Sequence, residues 1–325
     1  MGEGHLPVMV EEVLTSLDLR PGSSVVDCTV GGGGHADRLL EATSPGGRLL
    51  GLDADRAAIS EATRVLARYG KRAVLRQANF ESIYDVATET RFVPVDAVLF
   101  DLGLSSYQLA DPRRGFSFAA DAPPDMRFDE TSGLSALDLI DRSSERELAG
   151  VIATFGEERR AGRIAKAILA ARAAGRLMTA ADLAAVVAAA APPSRRGADA
   201  GRIHPATRTF QALRIAVNRE VEVLSAGLAG ALAALRPGGR FAVISYHSLE
   251  DRIVKRFIAR ESRDCVEDPL PPVCMCGHRA QLRPITKGVI TPSPDEIRRN
   301  RRARSAKLRV AEKLAPASAQ EGSGT

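Results

Sequence analysis

Tryptophan is absent from this 325-residue chain and aromatic residues make up only 4% of it, so the core must rest on Leu, Val, Ile and Ala. No stretch approaches about eighteen uninterrupted apolar residues, the length a membrane-spanning helix requires. The opening MGEGHLPVMVEEVL also lacks the basic and apolar regions of a secretory signal, so the expectation is a cytoplasmic protein with no membrane partner. Cysteine is scarce: Cys28, Cys265, Cys274 and Cys276 are too few and too unevenly placed for a disulfide framework, and reduced thiols are expected. Neither sign of charge dominates, with 45 Lys and Arg against 40 Asp and Glu. What is present, 45% hydrophobic and 26% charged residues, is the balance of a globular chain and argues against disorder throughout. The length suits one large α/β domain or two of ordinary size.

Local patterning gives the order of elements. PVMVEEVLTSLDL (7–19) spaces Val10, Val13, Leu14 and Leu17 as on one helix face, and Pro21-Gly22 stops it. SSVVDCTV (23–30) then reads as a strand, HADRLLEAT as a helix, and RLLGLDAD (48–55) as a second strand ending in acids. A helix over 55–70, a strand over 72–80 and a strand from Val95 that ends on Asp101 continue the alternation, which implies a parallel sheet with ligands at the carboxyl ends of its strands. From about 107 to 235 no strand pattern recurs, only helical ones such as ERELAGVIATFG and TAADLAAVVAAAA, so an inserted helical subdomain is expected. Residues 205–235 read as one helix, 236–248 as a glycine-turned strand of the original sheet, and 287–290 and 305–312 as late strands.

SVVDCTVGGGGHADRLL (24–40) carries the first sign of function, because four successive glycines cost conformational entropy that a ligand-binding turn would justify. Gly31-x-Gly33-x-x-Ala36 fits a dinucleotide fingerprint, and Asp53 stands at the end of the next strand. Alone, the match is weak. Asp27, four residues before Gly31, and Asp101 add two further acids at strand ends. S-adenosylmethionine, with its ribose diol, ammonium and sulfonium, suits these carboxylates: Asp53 would accept from the ribose, while Asp27 and Asp101 face the cationic methionine part.

Here a resemblance becomes specific. VGGGGHA, ANF, DLGLSSYQL, RGFSF, PPDMRFD, FGEER, HPATRTFQALRIAVN, ISYHSLEDRIVKRF and NRRARSAKLRVAEK, in this order along nearly the whole chain, resemble the ribosomal RNA small subunit methyltransferase H family. The resemblance implies an α/β fold, a class I S-adenosylmethionine-dependent methyltransferase sheet of Rossmann-like form with an inserted α-helical subdomain. It implies methylation of the N4 amine of a cytidine in the decoding centre of bacterial 16S rRNA, within the small ribosomal subunit, and homodimerisation is an expectation from it alone. By position, it assigns Gly33, Gly34, His35, Asp53, Phe80, Asp101 and Gln108 to the methyl donor, and it departs at Gly32, where the family usually has Arg. The expected organisation is a first core segment over 1–106, a helical insert over 107–205, a second core segment over 206–315 and a disordered tail over 316–325.

Ser105, close to Asp101, and His247, after the last core strand, are the catalytic candidates, with Glu250 a weaker one. His247 also has an ordinary reading as a helix cap. Cys265, Cys274, Cys276 and His278 could be read as zinc ligands, but Cys-x-Cys-x-His is tighter than the usual knuckle, and no metal is expected. IRRNRRARSAKLR (297–309), with seven Arg or Lys in thirteen residues, and the helical insert are the candidates for binding rRNA backbone. Two other readings stay open. A dehydrogenase would bind nicotinamide and leave Asp27 and Asp101 unexplained, and a ribosome-assembly module with a vestigial pocket would bind RNA without methyl transfer.

Overall fold

The computed structural model describes residues 6–191, 204–267 and 275–316. Its first half alternates as expected: α1 (Val10–Leu17), β1 (Ser24–Asp27), α2 (Gly34–Ala42), β2 (Arg48–Asp53), α3 (Arg56–Leu66), β3 (Ala73–Gln77), α4 (Ile83–Glu89) and β4 (Val95–Asp101). Helices follow, with no strand among the described residues: α5 (Ser106–Ala110), α6 (Ala136–Arg142), α7 (Glu145–Gly156), α8 (Ala161–Ala173), α9 (Ala180–Ala190), α10 (Thr207–Val217) and α11 (Glu220–Ala234). The chain closes with β5 (Leu235–Ser245), α12 (Ser248–Glu261), β6 (Leu282–Pro284), α13 (Pro294–Arg299) and β7 (Lys307–Lys313).

The chain divides into two compact units, one of Met1–Gly103 with Val223–Thr325 and one of Leu104–Glu222. In the first, seven strands form one sheet in the order β3-β2-β1-β4-β5-β7-β6. The strands from β3 through β5 are parallel, and β7 runs antiparallel to both of its neighbours. The central strands are apolar on both faces because both are covered. Val25, Leu49, Ala97, Leu99 and Ile244 pack on one side with α1 and α2 residues such as Val13, Leu17 and Leu39. Val26, Leu50, Val98, Phe100 and Val243 pack on the other with Leu224, Leu228 and Val254. Each of the parallel strands β1 to β5 therefore delivers its last residue to the same rim of the sheet.

The second unit has its own core of Leu148, Ile152, Ile164, Ile168, Leu183, Phe210 and Leu213. Three of its helices, α6, α7 and α9, start on capping boxes at Ser135, Ser144 and Thr179, in which each side chain accepts the N–H three residues on. The Ala-rich stretch is thus packed helix.

Three expectations change. The insert expected over 107–205 differs from the unit Leu104–Glu222, because α10 joins it: a Cβ on Gly156 would lie 2.6 Å from the Arg208 carbonyl oxygen, so α7 and α10 touch backbone to backbone. The single helix expected over 205–235 is two, α10 and α11, broken where Arg219 takes φ +51°. Asn218 at that break accepts from the Phe128 N–H at 2.7 Å and donates to the Met126 carbonyl at 2.7 Å. Its amide thus anchors the 126–128 loop. Finally, the strand expected over 287–290 is reduced to one bridge, Ile290 to Leu308, while β6 forms upstream instead. The expected tail lies outside the described residues beyond Pro316.

Candidate active site

Short apolar runs ending in acids place Asp27, Asp53 and Asp101 at the carboxyl ends of β1, β2 and β4, which are neighbours in the sheet. Between β1 and α2 the glycine turn is stitched to the two flanking strands. The Gly31 N–H donates to Asp53 Oδ2 at 2.9 Å, and the Asp101 N–H donates to Thr29 Oγ1 at 2.6 Å. Gly31 (φ +50°) and Gly33 (φ +86°) lie in the left-handed region, which is why this turn needs glycine. Gly33 is also the N-cap of α2. Gly33→Ala is expected to cost about 1 kcal/mol of unfolding free energy from that conformation and to weaken ligand binding at the turn. Denaturant titration reads it, and an unchanged midpoint would show that the positive φ is not what glycine supplies here.

The carboxylates differ in their surroundings. Asp27 is 1% exposed, and its Oδ1 accepts from the Thr29 N–H at 3.1 Å while Oδ2 is buried without a hydrogen-bond partner. Burial pushes its carboxyl up to about 7; His35 opposes that rise, and the nearby Asp101 and Asp53 add to it. Asp53 also accepts from the Asp55 N–H at 2.9 Å through Oδ1. Asp101 Oδ1 accepts from the Tyr246 hydroxyl at 2.7 Å, and its Oδ2 lies 3.4 Å from His35 Nδ1. His35 is itself buried, with Nε2 donating to the Val8 carbonyl at 2.8 Å. Burial, with the Asp101 charge beside it, drives the Tyr246 hydroxyl far above the usual phenol range, so it stays a donor.

The structure thus gathers Gly33, Gly34, His35, Asp53 and Asp101 around one turn, together with Asp27. Phe80 opens the short helical turn after β3, where its half-buried ring meets Phe100 edge-on at 5.4 Å between centroids. A Cβ on Gly227 would come within 2.6 Å of that ring, so the residue is also a packing element of the core. Ser105 and Gln108 belong to the other unit, where they form the capping box of α5: Ser105 Oγ accepts from the Gln108 N–H at 3.2 Å and Gln108 Oε1 from the Ser105 N–H at 3.0 Å. His247 takes the helix-capping role at α12. Its Nδ1 accepts from the Glu250 N–H at 3.3 Å and its Nε2 lies 3.1 Å from Glu250 Oε1. Both ring nitrogens are therefore engaged within the cap.

Tyr246 escaped the sequence reading. Its signal was its place beside His247 in ISYHSLED, directly after β5, but its partner Asp101 lies 145 positions away.

Three carboxylates lie at adjacent strand ends around a glycine turn that opens a helix, an arrangement whose chemistry suits a nucleoside ligand carrying positive charge. The class so defined is the S-adenosylmethionine-dependent methyltransferases of class I, Rossmann-like fold. Comparison with known proteins agrees: the family model described as the MraW methylase family matches residues 2–314. A curated relative from Thermomicrobium roseum, Ribosomal RNA small subunit methyltransferase H, is 51% identical over 311 residues, covering 96% of this chain and 94% of that one. A relative of the same name from Syntrophotalea carbinolica is 50% identical over 310 residues, covering 95% and 98%. The chain belongs to the MraW methylase family.

Proposed function

We propose that this methyltransferase modifies the N4 amine of a cytidine in the decoding centre of 16S rRNA, acting on the small ribosomal subunit in the cytoplasm. The name shared by its relatives supports an rRNA substrate. The observation that carries the chemistry is the Asp101 carboxylate, held at the end of β4 by the Tyr246 hydroxyl on one oxygen and beside His35 on the other.

Asp27 provides the test of fit for the donor. A buried carboxylate oxygen with no hydrogen-bond partner suits a cation-bearing ligand better than a pyrophosphate. When bound, S-adenosylmethionine supplies an electrophilic methyl group. Asp53 is assigned to the ribose hydroxyls, the backbone of Gly33, Gly34 and His35 to the methionine end, Phe80 to the adenine face, and Gln108 also to the donor. An exocyclic amine on a pyrimidine is a poor nucleophile, because its lone pair is delocalised into the ring. Asp101 answers that by accepting a hydrogen bond from the amine N–H, which lets the nitrogen rehybridise. Ser105 and His247, the other candidates, hold the starts of α5 and α12, so the expected part of each is to fix its own helix start. The base must be unstacked to reach such a site.

The basic segment favours RNA as the substrate. It is built into the first unit, with Ala303, Ala306 and Leu308 buried while Arg298, Arg299, Arg301, Arg302 and Arg304 face outward. Replacing these five arginines with alanine is expected to weaken rRNA binding and to lower the log–log salt slope by about 0.7–0.9 for each phosphate no longer neutralised. Donor affinity should not change. Filter binding across salt concentrations checks it, and an unaltered slope would move the RNA-binding surface elsewhere. A homodimer is supported by the resemblance alone, and sedimentation of the purified chain tests it.

The decisive assay incubates the protein with labelled donor and either small subunits or naked 16S rRNA, then identifies the methylated nucleoside by mass spectrometry. N4-methylcytidine is expected, with subunits preferred. Transfer to a ring carbon, or none to either substrate despite donor binding, would overturn the proposal.

A further inference from the structure

A second cluster of potential ligands lies away from the glycine turn, in the segment between α12 and β6. Cys265 Sγ and Cys276 Sγ are 3.9 Å apart, and Cys265 Sγ is 3.6 Å from Glu267 Oε2. All three ligand atoms fall within 4.8 Å of one another. A tetrahedral zinc with Zn–S bonds of about 2.3 Å sets its sulfurs about 3.8 Å apart, and with Zn–O of about 2.0 Å sets sulfur and oxygen about 3.5 Å apart. Two edges of that tetrahedron are present before any ion is added.

Backbone N–H groups orient two of these ligands. The His278 N–H points at Cys276 Sγ at 3.4 Å, and the Met275 N–H donates to Glu267 Oε2 at 3.3 Å, so each of these two ligand atoms is held in place by a backbone donor. Hydrogen bonds also hold the two sides of the segment together, with the Gln281 N–H on the Glu261 carbonyl at 2.7 Å and the Ala280 N–H on Asp264 Oδ1 at 3.1 Å. The ligand set differs from the one the sequence suggested. The His278 ring lies by Glu261, with Nε2 3.6 Å from Oε2, and Cys274 is outside the described residues. Glu267, two residues after Cys265, takes a place that no cysteine or histidine pattern would reveal.

We infer that Cys265, Cys276 and Glu267 bind a zinc ion, with water completing the tetrahedron, that ties Cys265 and Glu267, after α12, to Cys276, before β6. Two thiolates and a carboxylate suit Zn²⁺, whereas an all-oxygen site would suit magnesium or calcium. On binding, each thiol still protonated releases its proton as its sulfur–zinc bond forms, so affinity rises with pH. The inference is independent of the methyl acceptor.

The test uses the full chain, purified under reducing conditions, stripped with chelator and titrated with Zn²⁺ or Co²⁺ alone. The expected result is about one tightly bound ion per chain. Cobalt should give thiolate charge-transfer absorption in the near ultraviolet and the visible bands of a tetrahedral site. Cys265→Ser and Cys276→Ser should abolish both the stoichiometric ion and the charge-transfer band, Glu267→Gln should weaken the binding, and His278→Ala should leave it intact. Chelation should lower the Tm of the unmutated chain and speed amide exchange at Cys265, Glu267 and Cys276. Circular dichroism and donor binding confirm that the variants fold. Metal content equal in wild type and both serine variants would overturn the site, as would a Cys265–Cys276 disulfide in protein isolated without reductant.

Discussion

Replacing Asp101 with alanine is expected to lower kcat/KM for methyl transfer by about 10²–10⁴-fold while rRNA binding is retained. The size follows from the two roles the side chain combines. In the proposed mechanism it is the acceptor at the strand end for the amine, and in the structure it takes the Tyr246 hydroxyl, which the variant would leave without that partner in a half-buried setting. Losing the second role costs stability of about 1–3 kcal/mol, so activity must be compared with the variant shown to be folded. Tyr246→Phe separates the two. It keeps the carboxylate and removes only the hydrogen bond, and it should cost much less in kcat than Asp101→Ala. A binding module without catalysis predicts that neither variant changes anything but stability. Steady-state transfer assays alongside filter binding decide between them.

Asp27 gives the second large effect, in stability rather than rate. Its folded pKa, about 7, stands above the ordinary value of 3.8, so between those limits the folded chain holds a proton that the unfolded chain has lost. The stability it contributes is full below about pH 4 and is lost as pH rises through about 7. A shift of that size corresponds to something on the order of 4 kcal/mol. Asp27→Asn cannot ionise and should escape the loss. Denaturant unfolding of both proteins from acid to mildly alkaline pH should therefore show the wild type falling relative to the variant across that window. Parallel curves would mean that the carboxyl is not desolvated as the buried Oδ2 suggests.

The rim of the sheet was legible because it is written locally. RLLGLD and VDAVLFD are apolar runs that stop on an acid, and a parallel sheet turns such endings into neighbours. The turn was legible for the same reason, since only glycine accepts the φ values of Gly31 and Gly33 at little cost. What stayed hidden depends on partners distant in sequence. Helical periodicity runs from 205 to 235, and nothing local marks Arg219 as the break, because its cause is the bond from Asn218 to a loop about ninety residues upstream. A charge run such as 297–309 does not disclose that Ala303, Ala306 and Leu308 bury one side of it. His247 shows a different limit. Its residue type fits a base and a helix cap equally, and only the positions of both ring nitrogens against Glu250 reveal the cap.

Whether these strand-end carboxylates hold a cationic donor is tested most directly by calorimetry of S-adenosylmethionine binding. Titrations from about pH 6 to about pH 8, in buffers of different ionisation enthalpy, count the protons exchanged. A cation brought to Asp27 favours its carboxylate, so binding should release protons near pH 7 and tighten as pH rises. In Asp27→Asn both effects should disappear. Donor affinity that is flat or falls with pH, or preferential binding of a nicotinamide dinucleotide at the glycine turn, would contradict this assignment.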